Sequence, residues 1–203
     1  MKKFIAICLC VAVVLSLSAC SAEMIEDLFT WDTVDYNIEN YESKRNSIAN
    51  AAYFLPTLEA LGEYSRVNYS YQHTEMLIFQ AQTISLYLEY TPEMYRAMKE
   101  VVLSSGNFLE KTLLCSDGAS YQTTPANFTY RGYQFKTGVS EKDHSSDYCK
   151  EFILVGMSDE KCRIAFCYFY DMDLDYIDDA DKSEQEVATK FMDEYFAWND
   201  FED

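Results

Sequence analysis

The sequence predicts an α+β fold: an antiparallel sheet of about five to six strands, with helices packed on one face. Three observations lead there. Val67, Tyr69, Tyr71 and His73 alternate with Arg66, Asn68, Ser70 and Gln72, the period of a half-buried strand. Two apolar runs, 151–157 and 162–170, flank Ser158-Asp159-Glu160-Lys161 as the arms of a hairpin flank its turn. Helix signals stand at both ends and in the middle of this strand-rich chain, and nothing marks an internal repeat or a second domain boundary.

In chain order, residues 21–40 carry six acids and no base, the composition of an acidic tether. Met24, Ile25, Leu28, Phe29 and Trp31 are also apolar enough for a short docking helix. Ile48, Ala51, Ala52 and Leu55 follow helical spacing, and Pro56 ends that helix because it disfavours helical geometry at Leu55. A turn through Leu58 and Leu61 to Gly62 leads into the alternating strand. In Met76–Tyr90, Ile84, Leu86, Leu88 and Tyr90 share a face, while Gln80 and Gln82 interrupt it, which predicts a bulge or a sheet edge.

Thr91-Pro92 is a cap followed by proline at the first helical position, and Met94, Tyr95, Met98, Val101 and Val102 form the apolar face behind it. Gly106 closes that helix. A strand over 107–115, a loop over 116–127, a strand over 128–136 and a polar turn over 139–148 follow. The last helix opens at Ser183, which makes a capping box with Glu186, and Val187, Phe191, Tyr195 and Trp198 form its stripe.

The 203 residues include 34 acids and 16 bases, a formal charge of −18. Such a chain lacks the clustered Lys and Arg of a nucleic-acid binder. Its 17 Tyr and 13 Phe argue for a folded domain, since disordered acidic segments are poor in aromatics. Of seven cysteines, Cys8, Cys10 and Cys20 lie near the start, and Cys115, Cys149, Cys162 and Cys167 follow. Export permits disulfides, so free thiols and one or two bridges both stay open. There is no C-x-x-C and only His73 and His144 as further ligands, so neither a zinc site nor a cofactor is expected.

Met1-Lys2-Lys3, an apolar run from Phe4 to Val14 and small residues before Cys20 describe an export signal. Phe4–Ala19 is 16 residues, short of the ~20 that a spanning helix needs. Leu17-Ser18-Ala19-Cys20 resembles the lipobox of bacterial lipoproteins, in which the cysteine thiol is diacylglycerylated before the signal is cleaved. The resemblance implies that Cys20 is the acylated first residue of the mature protein, held on the extracytoplasmic face of the cell membrane by its lipid. The expected organisation is a signal over 1–19, a lipidated N-terminus and acidic tether over 20–40, and one domain over 41–203. Loss of residues 1–19 removes two lysines and no acid, taking the charge to −20. An anionic leaflet repels such a domain, which leaves the anchoring to lipid. Phe54-Leu55-Pro56, Leu58, Leu61-Gly62, Tyr64, Val67 and Tyr69 also resemble a stretch of uncharacterised lipoproteins of Gram-positive bacteria, which implies a class and no activity.

Three sets of residues invite chemistry. Ser158-Asp159-Glu160-Lys161, Ser105-Gly106-Asn107 and Lys136-Thr137-Gly138 match the S-x-x-K, S-x-N and K-T-G patterns of penicillin-interacting serine enzymes. Their order is wrong, however, with the nucleophile motif last, and that motif falls in a hairpin turn instead of opening a helix. Asp171, Asp173 and Asp175 begin like a calcium loop, but Tyr176 and Lys182 stand where glycine and glutamate are needed. Strand alternation would turn the three aspartates to water, as weak calcium ligands at most. Tyr69, Tyr71 and Tyr87 could form a face that stacks on a peptide or glycan. The expectation is a non-catalytic binding or accessory domain for an unknown protein, peptide or glycan of the cell envelope. A small envelope hydrolase and a calcium-responsive domain are the alternatives.

Overall fold

The computed structural model describes residues 30–76, 79–116, 121–139, 151–171 and 182–201. Cys20, His144, Cys149, Asp173, Asp175 and the expected signal lie outside them. The strands are β1 (Thr30–Asp35), β2 (Arg66–Met76), β3 (Phe79–Glu89), β4 (Leu113–Ser116), β5 (Tyr121–Thr124), β6 (Asn127–Tyr130), β7 (Tyr133–Val139), β8 (Glu151–Ser158) and β9 (Arg163–Asp171). The helices are α1 (Tyr41–Ser47), α2 (Ala51–Phe54), α3 (Pro92–Ser105) and α4 (Glu184–Tyr195), with 3-10 turns at Ile38–Asn40 and Leu58–Leu61. Seven strands form one antiparallel sheet in the order β1-β2-β3-β9-β8-β7-β6, and β4–β5 is a separate hairpin.

The class is α+β, and a helical layer of α1, α2 and α3 covers one face of the sheet. Strand alternation places Ile84, Leu86, Leu88, Ile153, Val155, Ile164, Phe166 and Tyr168 under these helices, against Leu55, Leu61, Tyr95 and Val102. The side chains between them point the other way. Tyr87, Phe152, Leu154, Cys167 and Phe169 pack on that opposite face beneath Phe191, Met192 and Phe196, from α4 and the tail behind it. Trp198 lies beyond the end of α4, yet its ring meets Tyr87, Tyr130 and Tyr133 at 4.8, 5.1 and 5.6 Å. Among the described residues no helix is long and apolar enough to cross a membrane.

Several local expectations change. The strand expected over 107–115 is the shorter β4, and it pairs with β5 inside the loop expected over 116–127. Residues 30–35 of the expected tether form β1, paired along β2 from Thr30 opposite Met76 to Asp35 opposite Tyr71. β3 carries no bulge and is not an edge: its ladder with β2 runs unbroken and β9 flanks its other side. The single helix expected around Ile48–Leu55 is two, interrupted at Ala49, whose φ is +34°. Arg45 secures the second by donating to the carbonyls of Ala52 and Leu55. The strand expected over 128–136 is a tight hairpin, since Arg131 and Gly132 both take positive φ, +47° and +83°. That pair is the conformation of a two-residue turn matching the twist of its arms.

Two caps are as the sequence implies. Thr91 accepts from the Met94 amide ahead of Pro92, and Ser183 and Glu186 form a complete capping box.

One charged cluster ties the tail to the sheet. The buried Arg163 donates to Glu89 at 2.9 Å and approaches Asp200 at 3.5 Å, while Arg66 grips Glu89 with two hydrogen bonds. The bonds from Arg66, with a further one from Arg163, outweigh desolvation and hold the Glu89 carboxyl below its usual range. Glu89 therefore contributes stability above its unfolded-state pKa, and the contribution is lost as pH falls through the lower folded value. Glu89→Gln should cost about 2 kcal/mol at pH 7. Urea unfolding at a series of pH values should show that difference shrinking towards pH ~3, where the unfolded carboxyl is protonated; a constant difference would contradict the linkage.

Candidate functional site

Between α2 and the C-terminal half of α3 the helical layer leaves a gap over the sheet, a cleft of about 1000 Å3. Its floor is Gly138 on β7, Ile153 and Val155 on β8, and Phe166 on β9. Its walls are Ala52, Phe54 and Leu55 on one side and Met98, Val101 and Val102 on the other. Tyr53 and Val101 stand at the rim, 82% and 55% exposed, where apolar groups gain nothing from the fold.

Local sequence explains the shape. Ala49 and Pro56 restrict α2 to four residues, so it cannot reach across to α3. Behind α3 the chain crosses the floor at Asn107–Phe108, where Phe108 bridges to Gly138. A Cβ on Gly138 would lie 3.0 Å from the Asn107 carbonyl oxygen, so the crossing requires glycine there. That packing role accounts for the glycine of the Lys136-Thr137-Gly138 match.

One carboxylate enters the cleft. Glu151 opens β8, is 7% exposed, and accepts from the Asn50 amide at 2.5 Å and the Tyr168 hydroxyl at 2.8 Å. Burial, reinforced by the hydrogen bond and charge of Glu151, raises the Tyr168 phenol well above its usual range, so it remains a donor. The other charged lining residue, Arg45, approaches Glu42 at 3.7 Å besides the two carbonyls it caps. Among the described residues the lining contains no histidine and no second carboxylate. Chemically, the cleft can enclose an apolar group and offer one anion to it.

The residues singled out in the sequence lie elsewhere. Tyr69 and Tyr71 are buried beneath α1, the first edge-on to Tyr41 at 5.8 Å and the second under the Lys44 ammonium at 4.0 Å. Tyr87 is buried on the opposite face, because Asn68 and not Tyr69 is its cross-strand partner. The three therefore form no stacking surface. Asp171 is buried at the end of β9, 1% exposed, and does not face water as the alternation suggested. Asp173 and Asp175 lie outside the described residues, among which no group of three or more His, Cys, Asp or Glu is placed to hold a metal.

Ser158-Asp159-Glu160-Lys161 is a strand end and hairpin turn, where Asp159 accepts from Tyr95 and Lys99 of α3; Lys99 and then Tyr95 lower its carboxyl. It does not join Ser105 at the cleft, so the three enzyme-like matches never converge. His73 lies on β2 with Nε2 3.5 Å from Glu75, away from the lining. Cys162 and Cys167 are free thiols, and burial pushes that of Cys167 up to about 12.

A second, more polar hollow of about 950 Å3 lies around Arg66, Arg131, Trp198 and Phe201. Its Arg66 is already neutralised by Glu89. Compared with known protein families, characterised proteins and solved structures, the chain matches none.

The buried trio is testable by a double-mutant cycle. Tyr168→Phe removes a donor to a carboxylate and should lower the unfolding free energy by about 1.5–3 kcal/mol. In a Glu151→Leu background the same change should cost markedly less; equal costs would mean the two groups are not coupled.

Proposed function

We propose that this chain is a lipid-anchored, extracytoplasmic binding domain, without catalysis of its own, whose ligand or partner group enters the cleft between α2 and α3. The observation that carries the binding part is the cleft: roughly ligand-sized, with apolar walls and floor and a few polar groups, Glu151 and Asn50 among them. Among the described residues it presents one carboxylate and no histidine, so these assemble neither a paired acid and base nor a serine–histidine couple. The site therefore favours binding over hydrolysis. The anchoring part rests on Leu17-Ser18-Ala19-Cys20 and on the acidic balance, which offers no basic patch to hold an anionic surface.

The two parts have separate tests. Cys20→Ala should abolish metabolic labelling with a palmitate analogue and release the protein from the membrane fraction or leave it as precursor. Unchanged labelling and retention would overturn the anchor. For the cleft, the neutral apolar dye Nile red should bind the full chain with enhanced fluorescence. Ala52→Trp, which sets an indole across the mouth from an exposed position, should reduce that binding at least tenfold. Lys190→Trp on α4, on the other face of the sheet, should leave it unchanged. Equal binding by both variants would place the dye elsewhere.

A further inference from the structure

We infer that the occupant of the cleft carries a cationic amine on an apolar body, and that Glu151 is its counter-ion; this rests on the cleft being the ligand site. Buried carboxylates are normally matched by a cation, because an unpaired charge removed from water is costly. The contrast within this fold is direct. Glu89 has Arg66 and Arg163, and Asp159 has Lys99. Glu151, more deeply buried than either, has only the neutral Asn50 amide and Tyr168 hydroxyl among the described residues.

Those two bonds engage one lone pair on each oxygen and leave one on each free to accept. An ammonium, with three donors, can use both. Arg45 does not fill the role: its guanidinium is committed to the carbonyls of Ala52 and Leu55 and lies beside Glu42. The remaining surface is more apolar than polar, with Phe54, Leu55, Met98, Val102, Ile153 and Phe166 beside Thr57, Ser105 and Asn107, so the body of the ligand is mainly hydrocarbon or aromatic. An anionic amphiphile would meet Glu151 across a poorly screened site and be rejected. The class is thus a singly charged amine on a hydrophobic body, a small cationic amphiphile.

The test uses one hydrocarbon with three heads. Decylamine, decanol and decanoate, each below its micelle concentration, are titrated calorimetrically at pH 7 into the full chain carrying Cys20→Ala, which has no acyl chains of its own to compete. Decylamine should bind at least tenfold tighter than decanol, and decanoate weakest of the three. Glu151→Gln should bring decylamine to the decanol level while leaving decanol unchanged. If the three bind the wild-type residue equally, or if Glu151→Gln keeps the amine preference, the cationic head is overturned while the cleft stands as an apolar site. If none of the three binds and Nile red does not bind either, the cleft reading itself fails. The wild-type series decides the head-group preference even if Glu151→Gln does not fold.

Discussion

The rest of the structure depends on the double-sided burial of β8 and β9. Every described side chain from Phe152 to Met157 and from Ile164 to Phe169 is buried, so both faces of these two strands are removed from water. An antiparallel sheet commonly leaves one face solvated; here that would expose Phe152, Leu154, Cys167 and Phe169 together. At roughly 1.5–3 kcal/mol for each large side chain left in water, no partial cover would suffice. The chain meets this with helices on one face and with α4 plus an irregular aromatic tail on the other. The tail is short of regular structure but not of contacts, since Trp198 joins three tyrosines and Phe201 packs beneath Arg66 and Arg163.

Covering both faces forces decisions about every polar group trapped between layers. Arg163 begins β9, and its charge is met by Glu89 from the neighbouring strand and by Asp200 from the tail. Those bonds pin the last residues across the sheet edge of the core, so electrostatic matching and tail docking are a single event. Truncating one member would strand the others in a poorly solvated place, which is why such clusters resist piecemeal substitution. Thr83 works similarly without charge, donating to the Tyr195 carbonyl where α4 ends and a helix would otherwise leave that oxygen unmet.

Much of this was readable from residue order. The period-two pattern of β2, the β8–β9 arms, the Thr91-Pro92 start and the Ser183–Glu186 box all report local geometry, and local geometry survived packing. What failed to show was long-range. Arg131-Gly132 lacks the Asn-Gly or Asp-Gly form that marks a two-residue hairpin, so β6 and β7 read as one strand. Gln80 and Gln82 look like an edge because amides are rare in a central strand, but they sit near the end of the ladder, where only partial burial is asked of them. The tyrosines misled for a different reason: a residue that is half apolar and half polar fits a core and a binding face equally well, and only the register puts Tyr87 on the opposite side from Tyr69. Glu151 gave no signal at all. An acid just before an apolar run looks like a solvated strand end, and nothing in Asn50 or Tyr168 advertises that they close over it.

That hidden position bears on what the cleft is for. Protein interiors are packed to the density of organic crystals, and apolar surface left uncovered forfeits about 25 cal/mol per Å2. Filling the gap beside Ile153 and Val155 needs only larger side chains at Ala52 or Ala60, both exposed at its mouth and free of backbone constraint. Glu151 is held only by the neutral Asn50 amide and Tyr168 hydroxyl among the described residues, so its removal from water is offset by no opposite charge there. Two costly features thus occupy one place. Departures from good packing concentrate where function requires them. An open cleft and a carboxylate without an opposite charge among the described residues are answered together by the proposed amine, since the molecule that fills the gap would also supply the charge.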